Sequence, residues 1–136
     1  EQGGGQIYNM EGFGSNGRRR IGLLIYGTSK YGVTYFTKGL SEEAATTPVQ
    51  IGSLGPGIVV TDLLLDNNTG TEKERHRAQR VFNILGDKVE TVAPFLVERM
   101  LANTKNGTHI EWLTNAKIIK RFLLSPFNRR NLFEEV

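Results

Sequence analysis

The chain has 136 residues, a net charge of +3 and no cysteine, which excludes a disulfide framework, a thiolate metal site and cysteine nucleophilic catalysis. Its length suits a single domain with a buried core, and its two histidines, His76 and His109, lie too far apart in sequence to indicate a metal site. No apolar run is long enough to predict a transmembrane helix, and the basic clusters lack the interleaved aromatic residues that favour nucleic-acid binding.

The first half of the chain predicts a strand, a loop, a helix and a second strand. Residues 5–10 form a short run with Ile and Tyr that is typical of a strand, and the glycine-rich residues 11–22 indicate a loop. Apolar spacing predicts a helix that begins at about residue 24. The helix should end near residue 46, because Pro48 disfavours helical geometry in the residue before it. Apolar and polar side chains then alternate over residues 49–54, which predicts the second strand.

A turn separates this strand from a more polar region. The Gly-Pro-Gly sequence at residues 55–57 predicts a tight turn, after which residues 58–65 lead away from the sheet. Residues 71–85 predict a helix with a heavily charged face. Thr71 and Glu74 have the spacing of a capping box, which places the start of this helix.

The rest of the chain predicts two helices and a third strand between them. One helix covers about residues 90–103 and tolerates Pro94 only if that residue lies in the first turn. Residues 108–113 alternate like a strand, and residues 116–124 predict a short basic amphipathic helix. The order of strand, helix, strand, two helices, strand and helix is typical of an α/β protein with a parallel sheet.

Tyr26 and Lys30 are the clearest candidates for chemistry. Residues four apart on a helix lie above one another, so the Lys30 ammonium is expected close to the Tyr26 phenol. A nearby positive charge favours the ionised phenol, which would let Tyr26 donate or accept a proton. The alternative is two ordinary surface residues, because this spacing is common by chance. The surrounding sequence therefore decides between the two interpretations.

The glycines at residues 12, 14 and 17 match the G-x-G-x-x-G pattern of dinucleotide-binding folds. In that pattern the last glycine opens a helix whose N-terminus faces the pyrophosphate. Here Gly17 is followed by three arginines and then by Gly22, so the predicted helix begins several residues too late. A glycine-rich active-site loop is therefore favoured over a phosphate cradle.

Three separated blocks of the sequence resemble the short-chain dehydrogenase/reductase family. They are the run Asn9–Ser15, the block Tyr26–Lys30 with its Tyr-x-x-x-Lys spacing, and the run Pro56–Leu65 with Pro-Gly-x-x-x-Thr. Within that family the blocks are similar to the chlorophyll b reductases of plants and their bacterial relatives. The resemblance covers nearly the whole chain but only the C-terminal half of the family fold.

The resemblance implies an α/β fold, namely the C-terminal half of a Rossmann-type doubly wound parallel sheet that lacks the N-terminal cofactor-binding strands. Residues 1–136 would form one partial domain, with the family's substrate loop over residues 63–85. A half-sheet would expose a strand edge and its helix layers, which is unfavourable for a lone chain. The expected partner is the missing N-terminal half, a partner subunit or a second copy of the chain.

The resemblance also implies roles for individual residues. Tyr26 would give a proton to a substrate carbonyl oxygen, while Lys30 would assist that transfer and bind the nicotinamide ribose. Ser15 is the third catalytic candidate, because the chain has Gly12 where the family usually has a catalytic serine. The residues that would bind the cofactor are Lys30, Pro56, Gly57, Ile58, Val59 and Thr61.

The implied function is reduction of a carbonyl to an alcohol by NADPH, with NADH as the alternative cofactor and no metal. The implied substrate is a small molecule with a carbonyl group, such as a chlorophyll-type pigment with a formyl group, and activity would require the missing N-terminal half. The implied location is the plastid for a plant or algal protein and the cytoplasm for a bacterial one, without secretion. The alternatives are a non-catalytic α/β interaction module, an inactive fragment of such an enzyme, and a basic nucleic-acid accessory protein.

Overall fold

The computed structural model describes residues 3–61, 71–127 and 130–132. Its helices and strands follow one another in the order that the sequence predicts. In the described residues they are β1 (Gly5–Met10), α1 (Leu24–Glu43), β2 (Val49–Gly55), α2 (Glu72–Leu85), α3 (Val89–Ala102), β3 (Thr108–Glu111) and α4 (Asn115–Leu124). A short 3₁₀ segment, Ala44–Thr46, continues α1 towards Pro48, which confirms the predicted end of this helical region.

The chain divides into two compact units, and the first contains the sheet. It comprises Glu1–Pro56 and Leu96–Glu111. β2 is the central strand and pairs in parallel with β1 on one side and with β3 on the other. Helix α1 packs on β1 and β2. The prediction of an α/β fold with a parallel sheet is therefore confirmed.

The central position of β2 follows from its apolar side chains. Ile51 and Leu54 of this strand are buried, together with Ile110 of β3 and Leu96 of α3. Full burial of an aliphatic side chain of this size contributes about 1.5–3 kcal/mol to the free energy of unfolding. The core of the first unit therefore lies around β2, the strand that leads into the predicted cofactor-binding turn.

Strand β1 has an open edge within the described residues, where it pairs only with β2. Its Ile7 and Met10 side chains are 47% and 46% exposed. A strand of a parallel sheet is normally covered on both faces, and an unpaired edge invites further pairing. The arrangement matches the half-sheet that the sequence predicts.

The second unit comprises Gly57–Phe95 and Trp112–Val136. Helices α2 and α4 contact each other in this unit. Its buried apolar side chains include Leu85, Val92 and Leu113. These side chains belong to the apolar core of the second unit. None of the helices in the described ranges is long and apolar enough to cross a membrane.

Two details concern the first turns of the helices. The capping box at the start of α2 is confirmed, since the Glu74 N–H donates to Thr71 Oγ1 at 3.4 Å and the Thr71 N–H donates to the Glu74 carboxylate at 2.9 Å. The prediction for Pro94 is wrong, because this residue lies in the second turn of α3. Proline lacks the N–H that would donate to the Glu90 carbonyl, so α3 continues past this residue with one helical hydrogen bond fewer.

Two predicted segments differ from the described elements. Strand β3 ends at Glu111, so Trp112 lies outside the strand that was expected over residues 108–113. Residues 62–70, and with them the start of the predicted substrate loop, lie outside the described residues. The remainder of that predicted loop forms helix α2.

Candidate functional site

Helix α1 carries Tyr26 and Lys30 near its N-terminus. The Lys30 Nζ atom lies 5.9 Å from the centroid of the Tyr26 ring and donates a hydrogen bond to the Met10 carbonyl oxygen at 3.1 Å. Because Met10 is the last residue of β1, this bond holds the ammonium at the carboxyl end of the strand, where α/β folds bind ligands. The Tyr26 side chain is 40% exposed and is accessible to a small molecule.

The hydroxyl group of Tyr26 lies against the backbone of Gly12. A Cβ atom at residue 12 would clash with this hydroxyl and would lie 3.3 Å from Cε of Lys30. The lack of a side chain at residue 12 therefore leaves the space in which the Tyr26 hydroxyl sits. A serine could not occupy residue 12 with Tyr26 in this position.

The loop between β1 and α1 packs closely on the helix through two glycines. Gly14 has a φ angle of +99°, and a Cβ atom there would lie 2.5 Å from Cα of Gly27 and 2.9 Å from its carbonyl oxygen. The backbone conformation and the close approach both require glycine at residue 14. Gly17 also has a positive φ angle, +82°, but α1 begins only at Leu24. The glycine pattern therefore lies in a loop against α1 and does not open a helix.

Ser15 is buried and connects this loop to α1. Its Oγ atom accepts a hydrogen bond from the Gly12 N–H at 3.0 Å and donates to the Lys30 carbonyl oxygen at 3.4 Å. The hydroxyl group thus holds in place the residue against which Tyr26 lies. The structure brings Ser15, Tyr26 and Lys30 together around Gly12, and their catalytic roles stay a prediction.

The other predicted cofactor-binding residues lie at the end of β2 and after it. Pro56 lies in the first unit, at the end of the stretch Glu1–Pro56. The start of the second unit contains the other four predicted cofactor-binding residues, which are Gly57, Ile58, Val59 and Thr61. Gly57 has a φ angle of +73°, and a Cβ atom there would lie 2.5 Å from Cβ of Leu113. Glycine is therefore required at the start of this segment.

Asp87 fixes the segment Ile58–Val60 through its backbone. Its N–H donates to the Ile58 carbonyl oxygen at 3.0 Å, and its own carbonyl oxygen accepts from the Val60 N–H at 3.0 Å. The pairing is an isolated parallel bridge between Val59 and Asp87. A residue that the sequence analysis did not single out therefore holds the segment for which cofactor binding is predicted.

The Asp87 carboxylate is held in turn by three donors. Arg121 Nη1 and Arg130 Nη2 form ion pairs with it at 2.8 and 3.0 Å, and Trp112 Nε1 donates to it at 2.7 Å. Burial alone would raise the pKa of Asp87, but the hydrogen bonds from Arg121, Trp112 and Arg130 outweigh burial, and the pKa lies below its ordinary value of 3.8. Asp87 is therefore a buried, ionised anchor of the second unit.

A further polar cluster lies in the first unit. His109 Nδ1 is hydrogen-bonded to Ser53 Oγ at 2.8 Å and lies 3.7 Å from a carboxylate oxygen of Glu11. These residues come from β3, β2 and the residue after β1, so no local sequence pattern connects them. The sequence analysis considered His109 only as a metal ligand, and its side chain is 45% exposed in this cluster.

The chain is similar to known proteins along most of its length. A family model described as short chain dehydrogenase matches residues 1–72. A chloroplastic probable chlorophyll(ide) b reductase of Oryza sativa subsp. japonica is 33% identical over 135 residues, which cover 99% of this chain and 26% of that protein. A chloroplastic chlorophyll(ide) b reductase of Arabidopsis thaliana is 34% identical over 143 residues, covering 97% of this chain and 40% of that protein. The chain thus spans well under half the length of these relatives.

Solved structures with the same fold are more distant in sequence. The L-sorbose reductase from Gluconobacter frateurii, solved with NADPH and L-sorbose, gives a TM-score of 0.62 at 16% identity over 81% of this chain and 46% of that one. A short-chain dehydrogenase from Burkholderia cenocepacia, solved with NADP, gives 0.57 at 21% identity over 78% and 43%. At these identities the likeness establishes the fold alone.

Proposed function

The chain belongs to the short-chain dehydrogenase family, and on that premise we propose that it carries the catalytic residues of a nicotinamide-dependent reductase that converts a carbonyl to an alcohol. The observation behind this proposal is the grouping of Tyr26, Lys30 and Gly12 at the carboxyl end of β1. A phenol next to an ammonium, with open space provided by a glycine, can deliver a proton to a reacting oxygen. A nicotinamide cofactor, which the family uses, would supply the hydride, and the proton transfer would then complete the reduction of the carbonyl.

Tyr26 is the proposed proton donor. A reduced nicotinamide supplies the hydride to the carbonyl carbon when it is bound. The Tyr26 hydroxyl gives its proton to the carbonyl oxygen, so that the carbonyl becomes a hydroxyl group and the phenol becomes a phenolate. The Lys30 ammonium, 5.9 Å from the ring centroid, stabilises the negative charge on the phenolate. Solvent then returns a proton to the partly exposed Tyr26.

Lys30 also suits the cofactor-binding role proposed for it. An ammonium group has three N–H donors, and among the described residues the Met10 carbonyl accepts from one of them. The bond to Met10 orients the two other donors, which can bind ribose hydroxyl groups. Lys30 thus supports proton transfer and cofactor binding from a single position.

The segment around Val59 suits the amide group of a nicotinamide. Asp87 binds the Ile58 carbonyl and the Val60 N–H on one side of this extended segment. Successive peptide groups of an extended chain point in opposite directions, so the N–H and carbonyl of Val59 point away from Asp87. A carboxamide has both a donor and an acceptor and can pair with these two groups. Pro56, Gly57 and Thr61 are proposed to shape the same part of the cofactor site.

The finer assignments follow from the relatives. The rice and Arabidopsis proteins are named for chlorophyll(ide) b, so the formyl group of chlorophyll b is the proposed carbonyl. The two solved neighbours contain NADPH and NADP, so NADPH is the proposed cofactor, with NADH as the alternative. The plastid is the proposed location for a plant or algal protein, because these relatives are named chloroplastic, and the cytoplasm is proposed for a bacterial one.

The proposal includes an N-terminal portion that completes the cofactor site. Two observations support this requirement. The chain covers 26% and 40% of the two chlorophyll(ide) b reductases, and within the described residues β1 has an edge on which further strands can pair. The proposed cofactor contacts of this chain concern the nicotinamide end, so the adenosine pyrophosphate is proposed to bind the N-terminal portion.

Complementation tests the proposal. The chain is produced together with the N-terminal half of the matched domain of the rice relative, and NADPH oxidation is followed with chlorophyll b as substrate. Tyr26→Phe removes only the hydroxyl group, and we expect turnover to fall by about a hundredfold to ten-thousandfold, since general acid catalysis contributes a factor of that order. Cofactor binding, measured by nicotinamide fluorescence, should stay unchanged.

Tyr35→Phe is the matched control. Tyr35 lies on the same helix, is 79% exposed and loses the same hydroxyl group in this variant. We expect it to keep full activity. Equal turnover of the complemented wild type and of Tyr26→Phe would reject Tyr26 as the proton donor.

A further inference from the structure

A polar contact crosses the sheet of the first unit, from β3 to the residue that follows β1. His109 Nδ1 of β3 is hydrogen-bonded to Ser53 Oγ at 2.8 Å and lies 3.7 Å from a carboxylate oxygen of Glu11. Ser53 is buried, and the Glu11 side chain is only 15% exposed. A hydroxyl group and a carboxylate are costly to remove from water without a partner. The imidazole ring of His109 supplies a partner for both.

Strand register and a glycine make this contact possible. Ser53 of β2 is the register partner of His109. The Glu11 N–H donates to the Leu54 carbonyl oxygen at 2.8 Å, so the pairing of β1 with β2 continues one residue beyond the strand. A Cβ atom at residue 55 would lie 3.3 Å from Cε1 of His109. The imidazole ring therefore lies over Gly55, and the lack of a side chain there leaves room for the ring beside Glu11.

The Glu11 carboxylate favours a hydrogen atom on Nδ1 of His109. Nδ1 carries a hydrogen in the imidazolium and in one of the two neutral tautomers, whereas it has a lone pair in the other tautomer. A lone pair on Nδ1 would face the negative charge of Glu11 at 3.7 Å, while an N–H group is attracted to that charge. The N–H group then donates to Ser53 Oγ and holds the carboxylate beside it.

Glu11 links this contact to the candidate active site, because the next residue in the chain is Gly12. The Tyr26 hydroxyl lies against the backbone of Gly12, where a Cβ atom would clash with it. The Gly12 N–H belongs to the peptide group that joins it to Glu11, and it donates to Ser15 Oγ at 3.0 Å. A rotation of this peptide group would move the backbone on which the Tyr26 hydroxyl rests. The Glu11 side chain is therefore a second point, besides Ser15, from which that peptide group is held.

We propose that His109 is a positioning residue of the reductase site, which holds the Glu11 carboxylate and thereby fixes the backbone of Gly12 and the orientation of the Tyr26 hydroxyl. The inference rests on the proposed function, because its effect is on the proton transfer from Tyr26. His109 itself has no contact with the transferred proton. The orientation of a proton donor affects the chemical step, so a loss of His109 should lower kcat and leave the affinity for NADPH unchanged.

Two measurements on the 136-residue chain alone test the contact. Nitrogen-15 NMR of the histidine rings at neutral pH reports which ring nitrogen carries hydrogen, and His76, which is exposed on α2, is the internal reference. We expect a hydrogen on Nδ1 of His109 that becomes less populated in Glu11→Gln. Urea unfolding of Glu11→Gln, His109→Leu and the double variant gives a double-mutant cycle. The two effects should depart from additivity by at least about twofold in the unfolding equilibrium constant.

Two substitutions of His109 test its effect on turnover in the chain complemented with the N-terminal half. His109→Leu removes every polar atom of the ring and should lower turnover by about tenfold, because the proton donor is less well oriented. His109→Asn places an amide near the position of Nδ1, where it can still donate to Ser53 Oγ, and should keep most of the turnover. Nicotinamide fluorescence should show wild-type NADPH binding in both variants.

Matched variants control for a general effect of the substitutions. Lys105→Leu replaces an exposed polar side chain of the first unit by leucine. Glu42→Gln removes the charge of an exposed carboxylate on α1. Both variants should keep the wild-type turnover and free energy of unfolding. Circular dichroism checks that every variant keeps its helices.

The results distinguish a failure of this inference from a failure of the proposed function. An inactive complemented wild type would overturn both. An active wild type with full turnover in His109→Leu would overturn the positioning role alone. The same conclusion would follow from a hydrogen on Nε2 together with additive effects in the cycle, or from equal losses of turnover and stability in His109→Leu and His109→Asn, because His109 would then be a packing residue.

Discussion

The Tyr26 hydroxyl group occupies the place where a side chain of Gly12 would begin, so that a Cβ atom at residue 12 would clash with it. The contact joins the residues that follow β1 to the first turn of α1. Ser15 and Lys30 complete the group, since Ser15 binds the Gly12 N–H and the Lys30 carbonyl. The orientation of the proposed proton donor therefore depends on Gly12 and on the hydrogen bonds of Ser15.

Gly12→Ala should reduce activity while leaving stability nearly unchanged. The added methyl group displaces the far end of a flexible side chain, so the free energy of unfolding should change by less than about 1 kcal/mol. A misplaced proton donor costs far more, and a shift of about 1 Å can lower turnover by on the order of a hundredfold. The measurements are turnover of the complemented chain and urea unfolding.

The control for Gly12→Ala is Gly39→Ala. Gly39 lies on α1, and a Cβ atom there would have no neighbour within 4 Å. This variant should keep its activity. Full activity of Gly12→Ala would show that the contact with the Tyr26 hydroxyl is not needed for catalysis.

Gly14→Ala should destabilise the first unit. A residue with a side chain at a φ angle of +99° is strained by about 1–3 kcal/mol, and the new Cβ atom would also lie 2.5 Å from Cα of Gly27. Gly22→Ala isolates the first effect, because Gly22 has a φ angle of +85° but open space around it. Urea unfolding should show the larger loss for Gly14→Ala. Equal losses would mean that the approach to Gly27 is unimportant.

Ser15→Ala should lower both stability and turnover. The substitution leaves the half-buried Gly12 N–H without its acceptor, and loss of such a hydrogen bond costs about 0.5–1.5 kcal/mol. The loop then releases the residue that positions the Tyr26 hydroxyl. Ser41→Ala removes a hydroxyl group of α1 that donates to the Lys38 carbonyl oxygen, and it should have little effect. Wild-type turnover of Ser15→Ala would remove Ser15 from the site.

Stability should fall in acid because of Asp87. The pKa of Asp87 in the folded chain lies below the ordinary value of 3.8, so the folded state favours the ionised form. The stabilisation from this carboxylate is fully present above the unfolded pKa and is lost as the pH falls through the folded one. Urea unfolding over a series of pH values, from neutral to strongly acid, measures the loss. A free energy of unfolding that stayed constant below pH 4 would contradict this account.

Asp87→Asn should remove much of that acid dependence. Loss of the charge leaves Arg121 and Arg130 without their partner, which costs about 3–5 kcal/mol when one partner of a buried pair is removed. Glu98→Gln makes the same chemical change at an exposed residue and should keep the wild-type pH profile. A small effect of Asp87→Asn at neutral pH would mean that the pair contributes little to stability.

Features that depend on neighbouring residues were predictable from the sequence. Pro48 marked the end of the α1 region, and the spacing of Thr71 and Glu74 marked the start of α2. The pair Tyr26 and Lys30 was equally accessible, because helical periodicity alone brings residues four apart together. In each case the relevant signal lies within a few residues of the feature that it determines.

Features that join distant residues were not predictable. Asp87 binds Arg121 and Arg130 across 34 and 43 residues of sequence, and no local pattern pairs one carboxylate with particular arginines. The contact between Gly12 and Tyr26 depends on the path of a loop, which tertiary packing decides. The Pro94 prediction was wrong because α3 continues past a proline in its second turn, although that position loses one helical hydrogen bond.

The central proposal is that the complemented chain directs a hydride to a carbonyl carbon while Tyr26 supplies the proton. The most direct measurement uses NADPH that carries deuterium at the transferable position, the complemented chain and chlorophyll b, with mass spectrometry of the product. The account predicts a hydroxymethyl product with one deuterium on the former carbonyl carbon, formed by the wild type and by Tyr35→Phe but hardly at all by Tyr26→Phe. A product without deuterium, or equal product from Tyr26→Phe, would contradict it.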